Sequence, residues 1–486
     1  MTLTTLPRSR RSRLAVALAS IALLGAAGVA MLATGDSKAA PAARPSPSPS
    51  PSPFVVQTFP TPPPLPSPSP VTGPGESKEP PRQQTLPIGP IAADPVRVHT
   101  GDGDCLNVRP QPGTNFQSDP RACLPEGFLL WLYGPERQVD GETWRYGLGE
   151  GWLAVRYTVA DPAAKRGMGP FKSVTALNSD WVDVMASRVD ATGSTTELLK
   201  VQHPLQGLGG IYGTISPSGR YLAYTREERY VPTLSLVDLQ TGATRKIPGV
   251  NTMGWGPGDR MSITFSPNCP TQCTWYPAWM DPAEGVVHKL SDAINDWWSG
   301  AWTPDGKSIV AIAADRKLKR VALDGTVTVL RELGANENLG VLVVSPDGTK
   351  LFSGTVSGSN RVLDLKTGAF IEVPRAPQRQ VFGGCGGPGF SGKLAAWIDD
   401  QTVAWHEAWG QKGYNGITIA KLGSNERRVI PFFSMQSMAL AAPGLLSFTT
   451  MEQLPDGGGF PLTWLLDLAT GDARPVTVGA DPAWAK

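Results

Sequence analysis

The chain has 486 residues, 41% of them apolar and 18% charged, with a formal net charge of +2. That length exceeds one ordinary domain. Arg8, Arg10, Arg11 and Arg13 precede every acid, so +2 less these four leaves the remainder at −2. A near-neutral body without a basic stripe excludes nucleic acid as the expected partner.

Behind those arginines, Leu14–Ala33 is twenty residues without a charge. As a helix rising ~1.5 Å per residue it would span ~30 Å, the thickness of a bilayer core. The basic flank orients the amino terminus inward and all that follows outward. The expectation is a single-pass membrane anchor; the competing reading is a cleavable signal peptide with Gly28-Val29-Ala30 as its small-x-Ala site. Either way the body is exported. Residues 34–93 follow as a linker: nineteen of the chain's 47 prolines lie between Pro41 and Pro95. Proline lacks a backbone donor and cannot build a ladder, so a disordered, extended polyproline spacer is expected, giving reach from the membrane.

Residues 94–160 read as a small barrel of short strands. Val96, Val98, Leu106 and Val108 alternate with polar neighbours, and Phe128-Leu129-Leu130-Trp131-Leu132-Tyr133 is a continuous apolar strand. The stretch Leu106-Asn107-Val108-Arg109-Pro110-Gln111-Pro112-Gly113-Thr114-Asn115-Phe116, with Gly149-Glu150-Gly151-Trp152-Leu153 further on, resembles the bacterial SH3 (SH3b) domain. Two cysteines within the domain depart from that pattern. The resemblance implies an SH3-like barrel that docks to cell wall or another envelope ligand. Asn107, Arg109, Asn115 and Tyr157 are the matching positions able to face outward.

From residue 165 to 486 two phrases recur about every 40–50 residues, the period of a propeller blade. The first is a turn after an apolar strand: Ser216-Pro217-Ser218-Gly219, Trp255-Gly256-Pro257-Gly258, Thr303-Pro304-Asp305-Gly306, Ser345-Pro346-Asp347-Gly348. The second closes the unit: Val237-Asp238-Leu239-Gln240-Thr241-Gly242, Leu363-Asp364-Leu365-Lys366-Thr367-Gly368, Leu466-Asp467-Leu468-Ala469-Thr470-Gly471, with weaker copies at Val189, Met280, Leu323 and Lys421. The Ser-Pro-Asp-Gly phrase resembles the WD-like repeats of TolB-type propellers. The expected fold class is therefore all-β, a small barrel plus a propeller of seven blades, with six as the alternative if the unit near Val189 is a half-blade.

Five cysteines suit an oxidising compartment, with Cys105–Cys123 and Cys269–Cys273 as expected disulfides and Cys385 left single. A zinc half-site at 269/273 lacks further ligands, since His99, His203, His288 and His406 have no matching spacing. Catalytic motifs are missing: no Gly-x-Ser-x-Gly, and Gly384-Cys385-Gly386-Gly387-Pro388-Gly389 is followed by strand-like sequence rather than the helix that phosphate binding needs. No cofactor or metal is expected. Aromatic residues outside the repeat register are the binding candidates: Trp275, Tyr276 and Trp279; Trp297 and Trp298; Trp405 and Trp409. The sequence thus points to an exported, non-catalytic envelope protein, its barrel docking to wall or matrix and its propeller binding a protein or glycan. The alternative is an extracellular hydrolase or lyase with its site at the propeller's central channel.

Overall fold

The computed structural model describes residues 86–114, 122–179, 183–202, 212–228, 231–266, 275–291, 300–334, 337, 339–354, 360–373, 394–409, 414–432, 435–453 and 459–486. The expected anchor, most of the linker, Asn115, Trp297, Trp298, Cys269, Cys273 and Cys385 lie outside these residues. Among the described residues no helix is long and apolar enough to cross a membrane. Among the described residues the architecture is all-β, with two single 3-10 turns as the only helical pieces.

The amino-terminal unit consists of β1 (Asp94–Val98), β2 (Leu106–Val108), β3 (Ala122–Leu124), β4 (Leu129–Val139), β5 (Glu142–Gly147), β6 (Gly151–Ala154) and β7 (Thr158–Ala160). Five strands form one sheet in the order β6-β5-β4-β1-β7, while β2 pairs with β3 and is held beside β6 by an Arg109–Trp152 bridge. Cys105 and Cys123 are disulfide-bonded across eighteen residues, their Cα atoms 5.2 Å apart.

Seven four-stranded antiparallel sheets follow. Sheet 1 combines Ser173–Ser179, Asp183–Asp190 and Thr195–Gln202 with the carboxy-terminal strand Ala480–Ala485, so the chain's last strand completes its first sheet. Sheets 2 to 7 each use four consecutive strands within residues 212–248, 250–289, 300–332, 341–371, 395–431 and 435–478. First strands touch between sheets 1 and 2, 4 and 5, 5 and 6, and 6 and 7. The first strand of sheet 3 meets the second and third strands of sheet 2, Arg260 of sheet 3 bonds to Gly306 of sheet 4, and sheet 7 packs back on sheet 1. This closed circuit is the arrangement of a β-propeller.

Both repeated phrases are turn chemistry. In the first, the residue before proline works twice. Its carbonyl accepts the glycine N–H (2.8 Å at Ser216 and Ser345, 2.9 Å at Thr303), and its hydroxyl accepts the N–H five positions on, as from Tyr221, Ser308 and Lys350. The glycines sit at φ of 73°, 64° and 72°, a region closed to most side chains. In the second phrase the aspartate folds the chain onto itself: Asp364 accepts from the N–H of Lys366 at 2.9 Å and of Thr367 at 2.7 Å. The first turns also connect sheets. Ser218 N–H donates to Asp259 at 3.0 Å, Arg260 to the Gly306 carbonyl at 2.9 Å, and Asp347 N–H to Asp400 at 2.9 Å.

Candidate functional site

The strands nearest the axis set what a central channel offers. Tyr212–Ile215, Val250–Trp255, Gly300–Trp302, Val341–Val344, Ala395–Trp397, Met435–Ala442 and Ala480–Ala485 lead their sheets. Among them Asp481 is the one carboxylate, and there is no His, Lys, Arg or Cys. Tyr212 is the other residue on these strands of a type that can transfer protons.

The aromatic candidates fall into two environments. Tyr276 and Trp279 lie on the third strand of sheet 3, half-buried, and each meets a basic side chain. Lys289 Nζ stands 3.9 Å from the Tyr276 ring centre; His288 stacks on Trp279 at 4.3 Å, with Arg260 5.8 Å away on the same ring. Trp275 is half-buried just before that strand. Trp405 is 3% exposed and stacks on Phe352 at 5.6 Å, inside the core between sheets 5 and 6. Trp409 ends the second strand of sheet 6, where its backbone pairs with Tyr414. Next to Trp405, His406 is driven down to about 4 by burial and is neutral at physiological pH.

In the amino-terminal unit the expected contacts are spread over three elements. Asn107 is exposed on β2 opposite Cys123; Arg109 is half-buried beside Trp152; Tyr157 lies in the 3-10 turn after β6, its ring under the Arg156 guanidinium at 4.6 Å.

A feature that the sequence did not disclose is the surface joining this unit to sheet 7. Strand β4 is apolar throughout its first half because both its faces are covered. Leu130 and Leu132 point into the unit's own core with Val98, Val108 and Leu153. Leu129 and Trp131 point the other way, joining Trp144, Tyr146, Leu148 and Trp152 in one cluster with Phe432, Phe448, Phe460, Leu462 and Trp464 of the propeller. Trp131 Nε1 donates to the Ala473 carbonyl at 2.8 Å. At the rim, Arg97 makes a two-pronged contact with Asp472 (2.9 and 3.1 Å) and a third bond to Asp161 at 2.7 Å.

Inside that cluster sit two carboxyl groups. Glu150 is 3% exposed and Glu452 1%. Glu452 accepts from Gly149 N–H at 2.8 Å, Thr450 Oγ1 at 2.5 Å and Tyr146 Oη at 3.4 Å. Both Glu150 oxygens are buried with no hydrogen-bond partner among the described residues. Burial, and secondarily the charge of Glu452, pushes the Glu150 carboxyl well above the usual carboxylate range. The signal for this pair was faint: one acid between Leu148 and Trp152, within the stretch that resembles the SH3b domain.

No protein-family profile and no curated protein matches the chain. Among solved structures it is similar to TolB from Acinetobacter baumannii, with a TM-score of 0.37 and 15% identity over 74% of this chain and 79% of that one. It is also similar to a puromycin hydrolase, with a TM-score of 0.43 and 17% identity over 66% of this chain; it spans 56% of that protein's length. The class that the fold defines is an all-β protein built on a propeller.

Proposed function

We propose that this is an exported, membrane-anchored envelope protein that binds rather than catalyses. In this reading an SH3b-like unit docks to cell wall or matrix, and a seven-bladed propeller, held against that unit, presents a partner-binding face. The observation that carries the reading is the composition of the described axial strands, where Asp481 and Tyr212 are the acid–base residues and no His, Lys, Arg or Cys joins them. Tyr276 with Lys289 and Trp279 with His288 supply the aromatic and basic chemistry of a glycan- or protein-binding surface.

The test is retention of the purified full chain on isolated cell walls, beside Arg109→Ala and Tyr276→Ala. Wall retention lost in Arg109→Ala and kept in Tyr276→Ala supports docking through the amino-terminal unit. No retention of the wild-type chain, together with turnover of peptide or glycan substrates, overturns the reading in favour of a hydrolase or lyase.

A further inference from the structure

The turn between β5 and β6 is built to deliver one carboxyl group into the propeller. Gly149 has φ +76°, and a Cβ there would come within 3.2 Å of the Phe432 ring and 3.5 Å of Trp464. At Gly151, with φ +136°, a Cβ would lie 2.8 Å from the Arg109 carbonyl oxygen. Both positions require glycine, because a side chain at either would press on the Phe432 ring or the Arg109 carbonyl. The residue between them is Glu150, 3% exposed at the edge of the aromatic cluster.

We propose that Glu150 and Glu452 form a proton-operated clasp between the amino-terminal unit and sheet 7: one proton held on Glu150 keeps the turn docked, and its loss releases the turn.

The division of roles follows from the partners. Glu452 accepts from an amide N–H and two hydroxyl groups, bonds that favour a carboxylate. Glu150 accepts none, and an ionised carboxylate without donors is costly in such a place. Two carboxylates facing each other in low dielectric do not both ionise, so the proton stays on the group with fewer donors. Nearby cations are committed elsewhere. Arg137 lies over the Trp152 ring at 5.0 Å and Arg166 over Trp131 at 5.5 Å. Arg145 pairs with Asp94 at 2.9 Å, and Arg97 with Asp161 and Asp472. From the propeller the titratable group facing Glu150 is Glu452; from its own unit, Tyr146 faces the pair.

The sign follows from linkage. Glu150 is raised in the docked state, so docking is strongest below the ordinary glutamate value of 4.5 and weakens as pH rises through the raised one. Glu452 is raised as well, by burial acting against its hydrogen bonds, and adds in the same direction.

The experiment is native-state hydrogen exchange of the full chain from pH 4.5 to 8, corrected for intrinsic exchange and read at residues 146–154 and 446–453. The expected result is an opening constant that climbs about tenfold per pH unit across the window where Glu150 alone holds its proton. Glu150→Gln, isosteric and neutral, removes the Glu150 share and leaves only the climb that Glu452 contributes, which ends at lower pH. Glu452→Gln removes the facing charge and ends the climb at lower pH. Protection in the wild-type chain that does not vary with pH overturns the proposal, and that measurement stands even if a variant fails to fold. So does a climb in Glu150→Gln that matches the wild type in steepness and in the pH at which it ends. Protection gained with calcium and lost with EDTA, in the wild-type chain alone, also overturns it, because the pair then holds a cation instead of a proton.

Discussion

Two parts of this molecule hold neighbouring pieces together by opposite means. Sheet-to-sheet contacts at the Pro-Gly turns are polar and short-range: a Ser or Asp side chain in one turn meets a backbone N–H or carboxylate in the next. The joint between the amino-terminal unit and sheet 7 is aromatic, spanning more than 300 positions, as in the Trp131–Ala473 bond. Each polar link is repeated, so losing one leaves its neighbours in place. The aromatic joint occurs once, and its four inward aromatic side chains (Trp131, Trp144, Tyr146, Trp152) are all less than 8% exposed.

The sharpest way to break this contrast is Trp131→Ala. The change empties a site inside the shared cluster and leaves the Ala473 carbonyl without its donor. Large-to-small aromatic substitutions in cores cost about 3–5 kcal/mol. Urea unfolding should show the loss in both the amino-terminal unit and the propeller, as one transition. A loss confined to the amino-terminal unit would mean the joint does not couple them. For the same reason, a chain beginning at residue 165 would expose Phe432, Phe460 and Trp464, and poor solubility is expected of it.

Next in size is the disulfide. Closing an eighteen-residue loop restricts the unfolded chain by about 3 kcal/mol. Cys105→Ser with Cys123→Ser should lower the melting temperature, with the change in exchange protection concentrated in β1 to β3. A loss spread evenly over the seven sheets would contradict that placement.

Among the turns, Asp347 is the most heavily used. Burial alone would raise its carboxyl, but bonds from Ser345 Oγ and from the Thr349 hydroxyl and N–H, with the charge of Lys350, hold it well below the usual range. A depressed carboxylate contributes stability that is present above the unfolded value of 3.8 and is lost as pH falls below it. Asp347→Ala should therefore cost about 1–2 kcal/mol at pH 7, and the gap from wild type should narrow in melts run from pH 4 down to 2. A gap independent of pH would assign the cost to packing instead.

The same contrast explains what could be read in the sequence. The Ser/Thr-Pro-x-Gly and Asp-x-x-Thr-Gly phrases were legible because every atom they need lies within about five residues, and repetition multiplied the signal. The all-β class and the sheet-by-sheet period followed from them, and the Cys105–Cys123 pair followed from the number and placement of the cysteines. The joint was not legible. Trp144 and Trp152 are buried in a cluster shared with residues three hundred positions away. The continuous apolar run of β4 held the clue, since a barrel strand with one face on its own core has no reason to be apolar on the other. Glu150 was hidden by its neighbours, because a Gly-Glu-Gly turn looks solvent-facing until the aromatic wall it enters is seen.

The smallest expected effect separates centre from rim within the joint itself. Arg97 makes more hydrogen bonds across it than Trp131 does, two to Asp472, while its bonds to Asp161 and the Gly127 carbonyl stay on its own side. Yet Arg97 and Asp472 are each 35% exposed, where water competes for the same groups. Ion pairs so placed contribute at most about 1 kcal/mol, and that share fades with salt. Asp472→Asn should accordingly lower stability by well under 1 kcal/mol at low salt and by nothing measurable at about 1 M salt, where charges are screened beyond ~3 Å. A larger loss that persists in salt would mean that the polar rim, rather than the buried Trp131 cluster, holds the amino-terminal unit to the propeller.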